Sequence, residues 1–111
     1  MDENQTPVPQ SFIALFVPRG RSRPVGSAAA IAARYELCED LAQTLTEHAR
    51  TTLFALSITE DLVLGRMHQG LLQEGSVVTP EEATWVITRL AELLAWPLPD
   101  LAHEGAQVPL R

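Results

Sequence analysis

The stretch nearest to a chemical motif is Pro18-Arg19-Gly20-Arg21-Ser22-Arg23-Pro24-Val25-Gly26-Ser27. An apolar run, then a glycine loop, then a helix opening at Ser27 is the order in which backbone N–H groups and a helix dipole cradle phosphates. The nucleotide-binding version needs G-x-x-x-x-G-K-[ST], with the lysine on the outer phosphates. Here Ser27 follows Gly26 directly, the lysine is missing, and no later strand offers a magnesium-binding aspartate. Nucleotide hydrolysis is therefore not expected. What remains is a plain anion site in which Arg19, Arg21, Arg23 and the Ser27 helix start would grip a phosphate, a carboxylate or an acidic partner. The simpler expectation for such a run is a solvated basic loop.

Other reactive side chains do not converge. Cys38 and His48 are ten residues apart on one helical pattern, about 15 Å along its axis, so they cannot share a metal ion. No H-x-x-x-H, E-x-x-H or C-x-x-C spacing occurs. Glu36 and Asp40 form an i,i+4 carboxylate pair on the solvated face, where they repel mildly. His48 reads as a residue flanking the core and His68 as a surface residue. The sequence thus supplies no catalytic, cofactor-binding or metal-binding residue, and the expectation is a protein that is not an enzyme and holds no cofactor.

The elements that would position these groups are helices. From Ser27 onward, Ile31, Tyr35, Cys38, Ala42, Leu45 and Ala49 recur at alternating spacings of four and three, a long amphipathic stripe. Ser27 is its N-cap and the alanine run after it is strongly helix-forming. The helix is predicted to reach about Arg50 and to extend as far as Ala55 or Leu56. Thr59 caps a second helix ending near Glu74 at Gly75, with Val63, Leu64, Met67 and Leu71 inward and Ile58 stapled onto Val63. Thr79-Pro80-Glu81-Glu82 is a capping box with proline at the first helical position. The third helix it opens carries Ala83, Val86, Ile87, Leu90, Leu93 and Leu94 as its buried stripe and ends at Trp96 before Pro97. Short connections imply antiparallel neighbours. The predicted fold is all-α, a three-helix up-down-up bundle over residues 27–96. Residues 1–26 form a flexible N-terminal arm with the Arg loop, and residues 97–111 a tail that wraps or frays. Within the arm, residues 12–17 read as an extended, strand-like apolar segment, although a run this short does not by pattern differ from a buried helical turn.

Composition sets the class. The chain has 111 residues, enough for one small core. Its net charge of −6 is unevenly placed: residues 1–26 carry three Arg against Asp2 and Glu3, and residues 27–96 four Arg against ten acids. An acidic body disfavours nucleic acid. A helix-turn-helix reading of the second and third helices meets the same objection, because Pro80-Glu81-Glu82 would bring acids to the bases. All eight basic residues are Arg, in keeping with a GC-rich genome. One cysteine precludes an internal disulfide and suits a reducing compartment. The opening MDENQTPVPQ lacks the pattern of a secretory leader, and no apolar run is long enough to cross a bilayer. A cytoplasmic protein is expected.

The informative feature is an apolar surplus. Trp85 and Trp96 fall almost opposite the buried stripe of the third helix, eleven residues apart on one edge with Arg89 and Glu92 between them. On the second helix Leu62 and Leu72 point away from Val63 and Met67, near Gly65, where another backbone could approach. Folding back of residues 12–17, a symmetric dimer or a hetero-partner would each cover this face. A partner-binding surface of Phe12, Phe16, Leu62, Leu72, Trp85 and Trp96 follows, since tryptophan is enriched at interface hot spots. The run FIALFVPRGRSRPVG followed by IAARYELCEDLAQTLTEHA resembles a group of short proteobacterial proteins of unassigned function, some labelled "ATPase with chaperone activity". The resemblance spans most of residues 11–96 and implies a bacterial helper in protein handling; its ATPase part has no counterpart in these residues. The reading is a non-catalytic interaction module, an adaptor or chaperone-like accessory that pairs with itself or with another protein. The alternative is a small regulator that contacts nucleic acid or another polyanion through the Arg19, Arg21 and Arg23 loop.

Overall fold

The computed structural model describes residues 7–101, so residues 1–6 of the expected arm and 102–111 of the expected tail lie outside the described residues. The described chain is all-α and contains no strand: α1 (Gln10–Ile13) running into a 3-10 turn (Ala14–Phe16), α2 (Ala28–Leu56), α3 (Glu60–Leu71) and α4 (Pro80–Leu94). Each of α2, α3 and α4 touches the other two, and the α2–α4 interface is the most extensive. Two ion pairs set the register of that interface, Arg34 with Glu82 and Glu39 with Arg89. The residue numbers rise together, so α2 and α4 run in the same direction.

Local chemistry explains the helix boundaries. The Ser27 Oγ accepts from the Ala30 N–H at 3.0 Å, which satisfies one of the orphan donors at the start of α2. α2 continues through Thr51 and Thr52 for 29 residues and stops where Ser57 adopts a left-handed conformation, φ 54°. Thr79 and Glu82 form the reciprocal capping box at the start of α4, with bonds of 3.1 and 3.0 Å. Thr59 begins α3, but its side chain makes no capping bond to the backbone.

Two clusters make the core. One joins Phe12, Ile31, Cys38, Ala42, Val78, Ala83 and Val86; the other joins Ala49, Val63, Leu64, Ile87, Leu90, Ala91 and Leu101. α4 contributes to both, and Leu101 shows that the chain after α4 returns to the core.

Five expectations are corrected. α3 closes at Leu71 and not near Glu74 at Gly75, the Leu72 N–H donating to the His68 and Gln69 carbonyls, and Gly65 is buried, so an outside backbone does not reach it. Residues 12–17 are not an extended arm: Phe12 is 0 % exposed in a helical turn folded against α2 and α4. Burial of a ring on a short turn, with Pro9 at its start and Val17 extended just before Pro18, overrides the strand-like composition. α4 ends at Leu94 and not at Trp96, because Ala95 takes a left-handed conformation, φ 59°, and the Trp96 N–H donates back to the Ala91 carbonyl at 2.9 Å. This Schellman-type turn closes the helix on its own carbonyls, and Pro97 prevents continuation. His68 is not on the surface: it is 4 % exposed, with Nε2 3.1 Å from the Thr84 hydroxyl. Four residues from Leu64 and three from Leu71, it shares their inward face.

Candidate functional site

The N-terminal turn builds an aromatic box. Phe12 from α1 meets Tyr35 of α2 and Trp85 of α4 edge-on, with ring centroids 5.6 and 5.1 Å apart, and tilts against Phe16 at 5.5 Å. Tyr35 and Trp85 also meet edge-on at 5.8 Å. The Trp85 indole N–H donates to the Ser11 Oγ at 3.0 Å. The Trp85 indole thus has a partner for its polar handle while its ring packs on Phe12 and Tyr35. Phe12 and Trp85 therefore serve the chain's own packing. Trp96 packs on the other cluster, with Ile87, Leu90 and Ala91. The two indoles do not form one bare edge.

Beside the box lies a groove of about 860 Å³. Tyr35, Trp85 and Leu15 floor it, Pro7 and Pro9 wall one side, and Glu39, Glu81, Arg89 and Glu92 rim it. Arg89 donates to both Glu39 oxygens, at 2.9 and 3.1 Å, and to Glu92 at 3.1 Å. That fork holds the Glu39 carboxyl below its ordinary value against the opposing effect of burial. Three of the four charged rim residues are thereby joined in ion pairs, Arg89 standing between Glu39 and Glu92.

The same economy governs Glu82, which is 3 % exposed. It accepts from Arg34 Nη2 and, at 2.9 Å, from Arg34 Nε, while Arg34 also donates to the Val77 carbonyl at 2.9 Å. Arg34 lowers the Glu82 pKa, opposed by burial and aided by the Thr79 N–H. The only cysteine, Cys38, is fully buried, and burial, with the nearby Glu82 charge, pushes its thiol up to about 11. No cluster of three or more potential metal ligands occurs among the described residues, and no helix among them is long and apolar enough to cross a membrane.

The Arg loop is a closed turn, clasped by the Val25 N–H on the Phe16 carbonyl at 2.7 Å. Gly20 and Gly26 have φ of 79° and 111°, conformations that favour a residue without a Cβ. Arg19, Arg21 and Arg23 are exposed and make no ion pair among the described residues. Ser27 Oγ is engaged in capping α2, so charge alone distinguishes this loop.

Exposed apolar residues occur on several faces, among them the last turns of α2 and the outer side of α3. Phe54 is 87 %, Leu56 46 % and Leu62 52 % exposed. Phe54, absent from the expected surface, lies on the Glu47 and Arg50 side of α2, opposite Leu45; the signal was present once the helix extended to Leu56. Leu72, at the end of α3, is 36 % exposed. Between α2 and α3 runs a second cleft of about 420 Å³, lined by Leu45, His48, Thr52, Leu56, Arg66, Met67, Gly70 and Leu71. Comparison with protein-family models, with characterised proteins and with solved structures finds no match for the chain.

Proposed function

We propose that the chain is a non-catalytic helical protein–protein interaction module, a small adaptor or chaperone-like accessory of the cytoplasm, which associates with itself through the outer face of the last turns of α2 around Phe54. In this reading α2, α3 and α4 form an up-down-up bundle, and the N-terminal turn serves the bundle and not the partner. The observation that carries it is Phe54, a large apolar ring 87 % exposed on the outer side of α2. A large apolar ring left bare is a liability for a protein that works alone and an asset for one that pairs. The resemblance to proteins labelled for chaperone activity points the same way. Light scattering on the wild type and on Phe54→Glu tests it. A concentration-dependent dimer that becomes monomeric in the variant, with unchanged helix content, supports the reading; a wild type that stays monomeric at high concentration overturns self-association.

A second reading has its own observation, the three exposed arginines of residues 19–23 with no acidic neighbour between Pro7 and Arg34. It makes the loop a contact for nucleic acid or another polyanion. A mobility shift that weakens with salt and disappears when all three become alanine would support it, and no shift at low salt would end it.

A further inference from the structure

The cleft between α2 and α3 differs from the rest of the molecule in charge and in backbone. The chain is net −6, yet none of the eight residues lining this cleft is acidic. Its two ionisable groups are Arg66 and His48, both exposed and neither in an ion pair among the described residues. Its floor is apolar: Leu45, Met67 and Leu71 are half-buried, and Leu56 is exposed at the corner.

Gly70 lies in this cleft one residue before the end of α3. Glycine within a helix is destabilising by about 1 kcal/mol relative to alanine, so it calls for a reason. The fold offers none: Gly70 has no left-handed conformation, and a Cβ added there would meet nothing within 4 Å. Gly20, Gly26 and Gly75 each have a positive φ that accounts for them. The bare backbone at Gly70 instead leaves room for another backbone to approach from outside. Leu62 precedes Arg66 by one turn, so an apolar shoulder, a cation and a gap follow one another along the outer side of α3.

We infer that this cleft takes an amphipathic helix of another protein that carries carboxylates beside its apolar stripe. The apolar stripe lies over Leu56, Met67 and Leu71, its backbone passes close to Gly70, and its carboxylates meet Arg66 and His48. A helix suits the site because two helices form its walls and the described residues offer no sheet edge to an extended strand. A second copy of the chain is the less favoured occupant, since residues 34–101 bring eleven acids and four Arg and a dyad along α3 would set Arg66 against its own copy. The inference rests on the reading of the chain as an interaction module and names the partner chemistry of one of its surfaces.

The test uses the full-length chain and two synthetic helical peptides with the same leucine stripe, one flanked by glutamates and one by lysines, followed by NMR chemical shifts and fluorescence anisotropy. The acidic peptide is expected to bind at least about tenfold more tightly than the basic one, with shifts confined to α2 from Leu45 onward and to α3. Arg66→Glu should remove or reverse that preference. Gly70→Leu should abolish binding of both peptides while far-UV ellipticity shows the fold intact. Gly70→Ala, a smaller change at the same place, should weaken binding less. Equal affinity for the two peptides, shifts elsewhere, no binding, or displacement of the acidic peptide by dimerisation through this cleft would each overturn the inference. Light scattering of the unmixed protein separates the two claims. A monomer that binds the acidic peptide in the cleft keeps this inference and loses self-association; a dimer sensitive to Phe54→Glu but indifferent to Arg66→Glu and to the peptides does the reverse.

Discussion

Phe12→Ala should release the N-terminal turn from the bundle without unfolding the bundle. The ring is 0 % exposed, and burying a phenyl side chain contributes about 2–3 kcal/mol of transfer free energy. Its contacts with Phe16, Tyr35 and Trp85, at 5.1–5.6 Å, are worth about 0.5–1.5 kcal/mol apiece where geometry is good. Because these terms overlap, the expected loss is about 4 kcal/mol, inside the range for core Phe→Ala changes. The turn has few means of absorbing it. Its helix is four residues long with no side-chain cap, and its other apolar anchors, Val8, Ile13, Leu15 and Phe16, are only partly buried. Opening is therefore expected to be local. In a Trp96→Phe background, Trp85 becomes the only indole and reports the site directly. Phe12→Ala should shift its emission to the red and raise its quenching by acrylamide before any denaturant is added, while far-UV ellipticity falls little. Urea transitions followed by the two signals should separate, whereas in the parent they coincide. If Trp85 emission and the urea midpoint both stay where they were, the box is not what holds the turn.

Other perturbations follow from the same contacts. Arg34→Ala leaves the Glu82 carboxylate, 3 % exposed, without its cation; since Arg34 is itself about a third exposed, the loss should be about 2–3 kcal/mol, less than for a fully buried pair. A double-mutant cycle with Glu82→Gln should return a coupling of about 1–2 kcal/mol by urea unfolding, and a coupling within error of zero would refute the pairing. Because the folded-state pKa of Glu82 is lowered, its contribution is fully present above pH 4.5 and lost as pH falls through the folded value; the acid limb of stability should flatten in Glu82→Gln. Cys38, fully buried with its thiol pushed up to about 11, should resist iodoacetamide at pH 8 in native protein and react at once in urea, and rapid native labelling would contradict the packing. Gly70→Ala should raise the urea stability of the chain by about 0.5–1 kcal/mol, because nothing lies within 4 Å of the added methyl. A loss of stability there would mean that α3 needs the glycine for itself.

What the sequence disclosed divides by the range of the interaction. The capping box of Thr79 and Glu82, the Ser27 cap and the four-three walk from Ile31 to Ala49 depend on residues within one or two turns, and they are present as read. The N-terminal turn depends on partners far along the chain: the Trp85 indole reaches Ser11 across 74 residues, and no pattern in residues 12–17 encodes that. Trp96 was assigned to the α4 face by extending a period that Ala95 breaks, and alanine gives no warning of a left-handed residue. Glu82 was legible as a cap but not as the partner of Arg34, because the capping pattern already accounted for it. The expected partner-binding surface centres on the tryptophans, yet large rings are what a small core uses first. Leu62 and Leu72 are legible as outward-facing, whereas Phe54 becomes so only when the helical period is carried to the end of α2.

The reason apolar surface remains at the corner between α2 and α3 is a mismatch of lengths. At about 1.5 Å per residue, the 29 residues of α2 extend about 43 Å, nearly the 47 Å long dimension of the molecule. α3 and α4, with 12 and 15 residues, reach only about 18 and 22 Å. The ion pairs at Arg34 and Glu39 anchor α4 to the first half of α2, and the Phe12 turn covers Tyr35 beside them. Packing on α4 then ends around Ala49 and Leu53, which leaves the last turns of α2 to α3 alone. α3 meets that stretch with Arg66 and Gly70 turned outward, and so closes it incompletely. A longer α3 without Gly70 would have sealed the seam and stabilised the chain in isolation. A glycine and an arginine without an ion pair among the described residues, both at this seam, are the physical argument for the partner proposed there.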